Sequence, residues 1–268
     1  MRTPIETEAF GDPTSPAIFM VPGWAMPKEV FHGVARLLSE NFYVVLANLP
    51  GVSVDPNWHK RNRFGPNYDI DALAEQLIRA APKPCWWLGW SLGGMVANYI
   101  AARRSSCANG VISVASAPKF VASEDWPMGM SEDAYSQFFG LVKAFPEKGF
   151  RRFLSLQAQG AKDPKGLAKH LLELQPKELI DPEALVRGLA LLETLDVRRE
   201  IALLDRPNLH VFGAQDALVE TPNVVQAFPS NPLQTVLTLP ELAHQPFLED
   251  PSQFVALITQ YIHDNTFH

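Results

Sequence analysis

The sequence predicts an α/β fold in which a mostly parallel sheet is flanked by helices and an all-helical segment is inserted between two strands. Three observations carry that expectation. Short apolar runs rich in β-branched and aromatic residues alternate with stretches of helical periodicity; the alternation stops between about residues 122 and 199, where only helical spacing persists; and a serine bracketed by glycines stands where a strand meets a helix.

The expected strands are "AIFMV", "FYVVLANL", "CWWLGW", "GVISVAS", "LHVFG" and "QTVLTL", each bounded by turn residues. Runs of this length are ambiguous alone, but their β-branched and aromatic enrichment with Gly or Pro at the ends favours buried strands. Between them, Glu29 to Ser39, Ile70 to Ala80, Leu92 to Arg103 and Pro251 to His263 read as helices. Strand and helix in alternation imply parallel pairing, and in such sheets ligands bind beyond the carboxyl ends of the strands. Chemistry is therefore expected in the loops at that edge.

Residues 122–199 break the rhythm. "AYSQFFGLVKAF", "FRRFLSLQ", "LAKHLLEL" and "EALVRGLALLETL" all carry apolar residues at helical spacing, with no credible strand among them. The division expected is a core made of residues 1–121 and 200–268, and a helical cap of residues 122–199 over the sheet's active edge. The loop from Val52 to Asp69 is long and polar enough to be mobile, and its role is open. No internal repeat or low-complexity tract is found.

At 268 residues, 47% hydrophobic and 19% charged, the composition is globular. No apolar run approaches the roughly 20 residues of a membrane span, and no apolar stretch follows Arg2 as a targeting signal would require. A cytoplasmic, monomeric protein with no membrane contact is expected. Cys85 and Cys107 are too few for a disulfide framework and lack metal-ligand spacing. The net charge of −6 argues against a nucleic-acid partner. Between Lys143 and Lys169, however, seven lysines and arginines face only Glu147 and Asp163, a local surplus of five positive charges.

Gly89-Trp90-Ser91-Leu92-Gly93 matches the G-x-S-x-G nucleophile elbow, a sharp strand-to-helix turn that lifts a serine hydroxyl above the sheet. Such a hydroxyl needs a base. Of the seven histidines, His32 and His263 fall in expected helices, His59 in the polar loop, His170 in the cap, His210 inside a strand and His268 at the end. His244 alone sits in a loop between the last strand and the last helix, from which it can reach back to the elbow.

The imidazole needs a carboxylate on its other nitrogen. Asp216 follows the penultimate strand and reaches the same edge, whereas Asp196 and Asp205 lie in or beside helical segments before that strand. The oxyanion of an acyl-transfer intermediate needs two main-chain amides. Leu92 supplies one directly after the serine, and Trp24, in the loop after "AIFMV", supplies the other; the alternative for Trp24 is a packing role. Neither a metal nor an organic cofactor is expected.

At these residues the sequence resembles the α/β-hydrolase superfamily and, more narrowly, the methyl-ester esterases of biotin synthesis that act on pimeloyl chains held by acyl carrier protein. The general motifs are the elbow, "LPG", Asp216 and His244. More discriminating are "WLGWSLGGMVANYIA", "VASAPKF" followed by "EDWPMGM", "RRFLSLQ" and "LLETLDVRREI". The likeness runs from about Ala17 to Tyr261. It implies that Ser91, His244, Trp24 and Leu92, together with Phe153, Leu154, Ser155, Leu156 and Gln157 of the cap, contact the substrate. Two departures stand out: Pro22-Gly23 precedes Trp24 where the family commonly has His-Gly, and the Val52 to Asp69 loop is longer than usual.

The resemblance further implies an acyl carrier protein as partner. Carrier proteins are acidic, so an acidic enzyme needs a locally basic docking face. Lys148, Arg151 and Arg152 are the first candidates, with Lys143, Lys162, Lys165 and Lys169 behind them, although a solvated helix face would read the same way. Two other functions stay open: a broad carboxylesterase or carbon–carbon hydrolase with the same three residues, and a silent ligand receptor that keeps the architecture.

Overall fold

The computed structural model describes residues 5–53, 67–175 and 181–266. Among these, seven strands form one sheet: β1 (Thr7–Phe10), β2 (Ala17–Val21), β3 (Tyr43–Ala47), β4 (Cys85–Trp90), β5 (Ala108–Val114), β6 (Asn208–Gly213) and β7 (Gln234–Leu239). Their spatial order is β1-β3-β2-β4-β5-β6-β7. β1 runs antiparallel to β3, and every other neighbouring pair is parallel.

Every residue of β2, β4 and β6 is buried, as expected of strands covered on both faces. The chain leaves β2 toward β3, then crosses back to lay β4 on the other side of β2. The loops after β2 and β4 therefore diverge at the point where the strand order reverses, which is where such a sheet opens a crevice.

Helices α1 (His32–Leu38), α2 (Ile70–Ala80) and α3 (Leu92–Arg103) connect the first strands. Asp69 caps α2 by accepting from the Ala72 amide at 2.9 Å, which stops one of the four orphan donors of the first turn from going unpaired. α3 follows β4 after the single residue Ser91, and its residues from Leu92 to Ala101 are all buried.

Between β5 and β6 the chain forms α4 (Glu132–Ala144), α5 (Pro146–Gln157), α6 (Pro164–Glu173), α7 (Pro182–Thr194) and α8 (Arg198–Leu203). α5, α6 and α7 each begin with a proline, whose missing N–H costs nothing in a first turn. This inserted layer packs on the edge through Trp24. Its ring lies edge-on to Phe153, with centroids 4.7 Å apart, and also meets Phe138 and Phe150. The Trp24 indole donates to the Leu185 carbonyl of α7 at 2.9 Å. After β6, α9 (Thr221–Gln226) leads to β7, and α10 (Pro246–Glu249) and α11 (Pro251–Thr266) close the chain.

Candidate active site

Ser91 stands between β4 and α3 at φ +54° and ψ −120°, a conformation that L-residues adopt only under restraint. The restraint is visible. The Ser91 amide donates to Val114 at 2.9 Å, while its carbonyl accepts from the Gly94 amide at 2.9 Å and from the Ser116 hydroxyl at 2.8 Å. The flanking glycines are sterically required: a Cβ on Gly89 would run into the Gly93 carbonyl, and one on Gly93 into the Val21 carbonyl.

The loop after β2 lies directly against this turn. A Cβ built on Gly23 would come within 3.2 Å of the Ser91 Cβ, so the Pro22–Trp24 turn borders the serine. Ala25, next to Trp24, is itself held at φ +60°. The Trp24 side chain packs the inserted helices, and its main chain follows the turn that borders the elbow. Leu92 begins α3 and is fully buried.

Asp216 lies in the loop after β6, buried. Its Oδ1 accepts from the Leu218 amide at 2.8 Å and the Val219 amide at 3.1 Å. Its Oδ2 is left for His244 Nδ1, 2.7 Å away, in a contact that solvent does not reach. A carboxylate can only accept here, so Nδ1 carries the hydrogen and Nε2 presents its lone pair. Nε2 is sealed from solvent and makes no hydrogen bond among the described residues, the Ser91 hydroxyl included. Bonds of this kind are often long before substrate arrives.

Two groups that sequence reasoning missed hold the histidine beside the elbow. Trp90, the residue before Ser91, donates its indole N–H to the His244 carbonyl at 2.9 Å, with the two rings 5.5 Å apart. Glu249 accepts from the Ala243 amide at 2.9 Å. Only the second left a trace in the sequence, as an acid one turn into the helix that follows the histidine loop.

In the inserted layer, Phe153, Leu154 and Gln157 of α5 are buried, Leu156 is half-buried and Ser155 is exposed, with its hydroxyl donating to the Arg151 carbonyl at 3.1 Å. Helical spacing explains the split, since positions 153 and 157 lie one turn apart on one face. Both polar atoms of the Gln157 amide are buried without a partner among the described residues. Lys143, Lys148, Arg151, Arg152, Lys162 and Lys165 are exposed, and no salt bridge is found for them among the described residues; Lys169 lies 3.7 Å from Glu173.

The other described histidines are committed elsewhere. His32 pairs with Glu8 at 2.9 Å, and His170 is exposed on α6. His210 is buried in β6, where Ser113 and Asn208 bond its two nitrogens at 2.5 and 3.0 Å, and burial pushes its pKa down to about 3. That serine–histidine pair lies buried between the adjacent strands β5 and β6. His59 and His268, like most of the loop from Val52 to Asp69, lie outside the described residues.

Among the described residues, one group could gather metal ligands, namely Glu8, Glu29 and His32. The Lys28 ammonium already sits there, 2.6 Å from Glu29 and 3.0 Å from Glu6.

Comparison with known proteins bears on the whole chain. A model of the alpha/beta hydrolase family matches residues 18–257. Pimeloyl-[acyl-carrier protein] methyl ester esterases of Aeromonas salmonicida and Aeromonas hydrophila are 32% and 31% identical, each over 96% of this chain and 99% of theirs. An esterase from Exiguobacterium antarcticum superposes with a TM-score of 0.82 at 17% identity, covering 97% of this chain and 95% of its own. A bromoperoxidase from Bacillus anthracis gives 0.81 at 16%, covering 97% and 95%.

Proposed function

This chain belongs to the alpha/beta hydrolase family, and we propose that it is a serine esterase that removes the methyl group from pimeloyl-[acyl-carrier protein] methyl ester. The observation that carries the reading is the buried Asp216–His244 hydrogen bond beside the strained Ser91 turn, in a chain whose full-length relatives bear that esterase's name.

In the proposed reaction the Ser91 hydroxyl oxygen attacks the ester carbonyl carbon as its proton passes to His244 Nε2. Asp216 keeps the imidazole in the required tautomer and offsets the positive charge it gains. The carbonyl oxygen becomes an oxyanion facing the main-chain amides of Trp24 and Leu92. The carbon–oxygen bond to the methoxy group then breaks, and methanol departs with the proton from His244. Water, deprotonated by His244, attacks the acyl-enzyme and releases the free carboxylate and Ser91.

The inserted helices serve as a cap. Phe153, Leu154 and Gln157 would receive the acyl chain, the apolar side chains taking its methylenes and the Gln157 amide, without a partner among the described residues, taking a polar group along it. Ser155 and Leu156, nearer solvent, would meet the chain only at its entry. Lys148, Arg151 and Arg152 form the docking face for an acidic carrier. The location proposed is cytoplasmic; no described helix is long and apolar enough to cross a membrane.

The test compares hydrolysis of methyl pimeloyl carrier protein with that of free dimethyl pimelate and short p-nitrophenyl esters. The carrier-bound ester is expected to have the highest kcat/KM. Equal or better turnover of short free esters would replace this reading with a broad carboxylesterase.

A further inference from the structure

We propose that Glu249 is a positioning residue for His244, its carboxylate anchoring the loop main chain just ahead of the histidine so that the imidazole is aimed at Ser91. The inference rests on the reading of His244 as the base.

The geometry is specific. His244 is the middle residue of Ala243-His244-Gln245, and Gln245 is the cap of α10. Glu249 closes the first turn of that helix, where its own amide donates to the Gln245 carbonyl at 3.0 Å. Its side chain folds back toward the helix start, and Oε1 accepts from the Ala243 amide at 2.9 Å. Burial raises the Glu249 carboxyl above its ordinary range; the Ala243 and Gln245 amides pull it down, while the Asp216 carboxylate adds a smaller upward push and His244 a smaller downward one. The amide before the histidine is thus tied to the first turn of the helix after it, in the manner of a capping box.

The purpose follows from what else holds the loop. Asp216 fixes the ring at Nδ1 and Trp90 fixes the His244 carbonyl, yet neither reaches the main chain ahead of the residue. Without Glu249 the main chain leading into His244 could shift, and Nε2 would move with it. The short α10 spans only Pro246–Glu249 and supplies little stiffness by itself.

Glu249 also borders a cavity of about 360 Å³ between α6 and the histidine loop, shared with Lys162, His170 and Leu242. Shortening the side chain there removes the anchor without overpacking the site.

The experiment measures steady-state hydrolysis of p-nitrophenyl butyrate and melting temperature for the full chain, for Glu249→Ala, for Glu249→Gln and for a His244→Ala control. Misplacing a general base by about 1 Å can cost about a hundredfold in rate. Glu249→Ala is expected to lose kcat on that scale with KM nearly unchanged, and Glu249→Gln, whose amide oxygen still accepts from Ala243, to recover most of it. Should Glu249→Ala not fold, Glu249→Asp gives the same contrast, with the charge kept but withdrawn by one methylene. Parental kcat in Glu249→Ala or Glu249→Asp, or equal loss in Glu249→Gln, overturns the inference. If His244→Ala keeps parental turnover, it is instead the reading of His244 as base that fails.

Discussion

His244 Nδ1 lies 2.7 Å from Asp216 Oδ2 with both side chains sealed from solvent, while Asp216 Oδ1 is held by two main-chain amides. Asp216 is therefore fixed before it fixes the histidine. Asp216→Asn keeps the shape but offers an amide N–H or a neutral oxygen to Nδ1, which favours the wrong tautomer. A fall in kcat of about a thousandfold or more is expected, with an unchanged circular dichroism spectrum. A rate near the parent's would place the acid elsewhere.

Ser91 at φ +54° stores backbone strain that a glycine would not feel. Strain of this kind costs on the order of 1–3 kcal/mol. Ser91→Gly is expected to abolish ester hydrolysis and to stabilise the fold by about 1 kcal/mol in denaturant titrations. A destabilised glycine variant would show that the turn is not under strain.

Buried His210 gives the protein an acid-sensitive core. Its folded pKa lies at about 3, below its ordinary 6.5, because burial disfavours the charged ring. Between those values the unfolded chain takes up a proton that the native state refuses. His210's effect on stability is therefore neutral above about pH 6.5, and stability is lost as pH falls toward 3, by up to about 1.4 kcal/mol per unit. Urea titrations from pH 7.5 to 4 are expected to show a steeper acid loss in the parent than in His210→Gln. Parallel pH profiles would remove His210 from the account.

The proposed docking face is tested by comparing carrier-bound with free substrates. Reversing Arg151 and Arg152 to glutamate is expected to lower kcat/KM for the carrier-bound ester by at least about tenfold while leaving a small free ester within about twofold, and the gap is expected to shrink as salt rises. Equal losses on both substrates would mean that these arginines serve the cap's structure.

Much of this architecture was legible because burial on both faces leaves unbroken apolar runs. Cys85–Trp90 is read as a strand from sequence and is one, and Ile70–Ala80 and Leu92–Arg103 are helices over the residues that periodicity marks. β1 was not legible: Thr7–Phe10 is four residues of half-exposed edge strand, stabilised by pairing with β3 and by nothing local. The helix expected from Glu29 to Ser39 divides into a 3₁₀ turn, Lys28–Phe31, and α1. There Lys28 is buried because Glu6, from beside β1, meets its ammonium at 3.0 Å, a contact invisible in linear order.

The site divides in the same way. Chain order and loop position bring Ser91, Asp216 and His244 to one edge, because strand connectivity dictates where their loops emerge. The supports of His244 were hidden, since Trp90 looked like strand core and Glu249 like an ordinary helix acid. Their roles arise only when β4 and the histidine loop meet. Ser155 shows the converse: a contiguous stretch read as one lining turns, in a helix, into a buried face and an exposed one.

The most direct measurement is mass spectrometry of the protein after reaction with a fluorophosphonate, run beside Ser91→Ala. One adduct, on Ser91 and absent from the variant, with loss of ester turnover in proportion to labelling, is the expected result. A protein that hydrolyses esters while Ser91 stays unmodified, or that is labelled at another serine with matching loss of activity, would contradict the account.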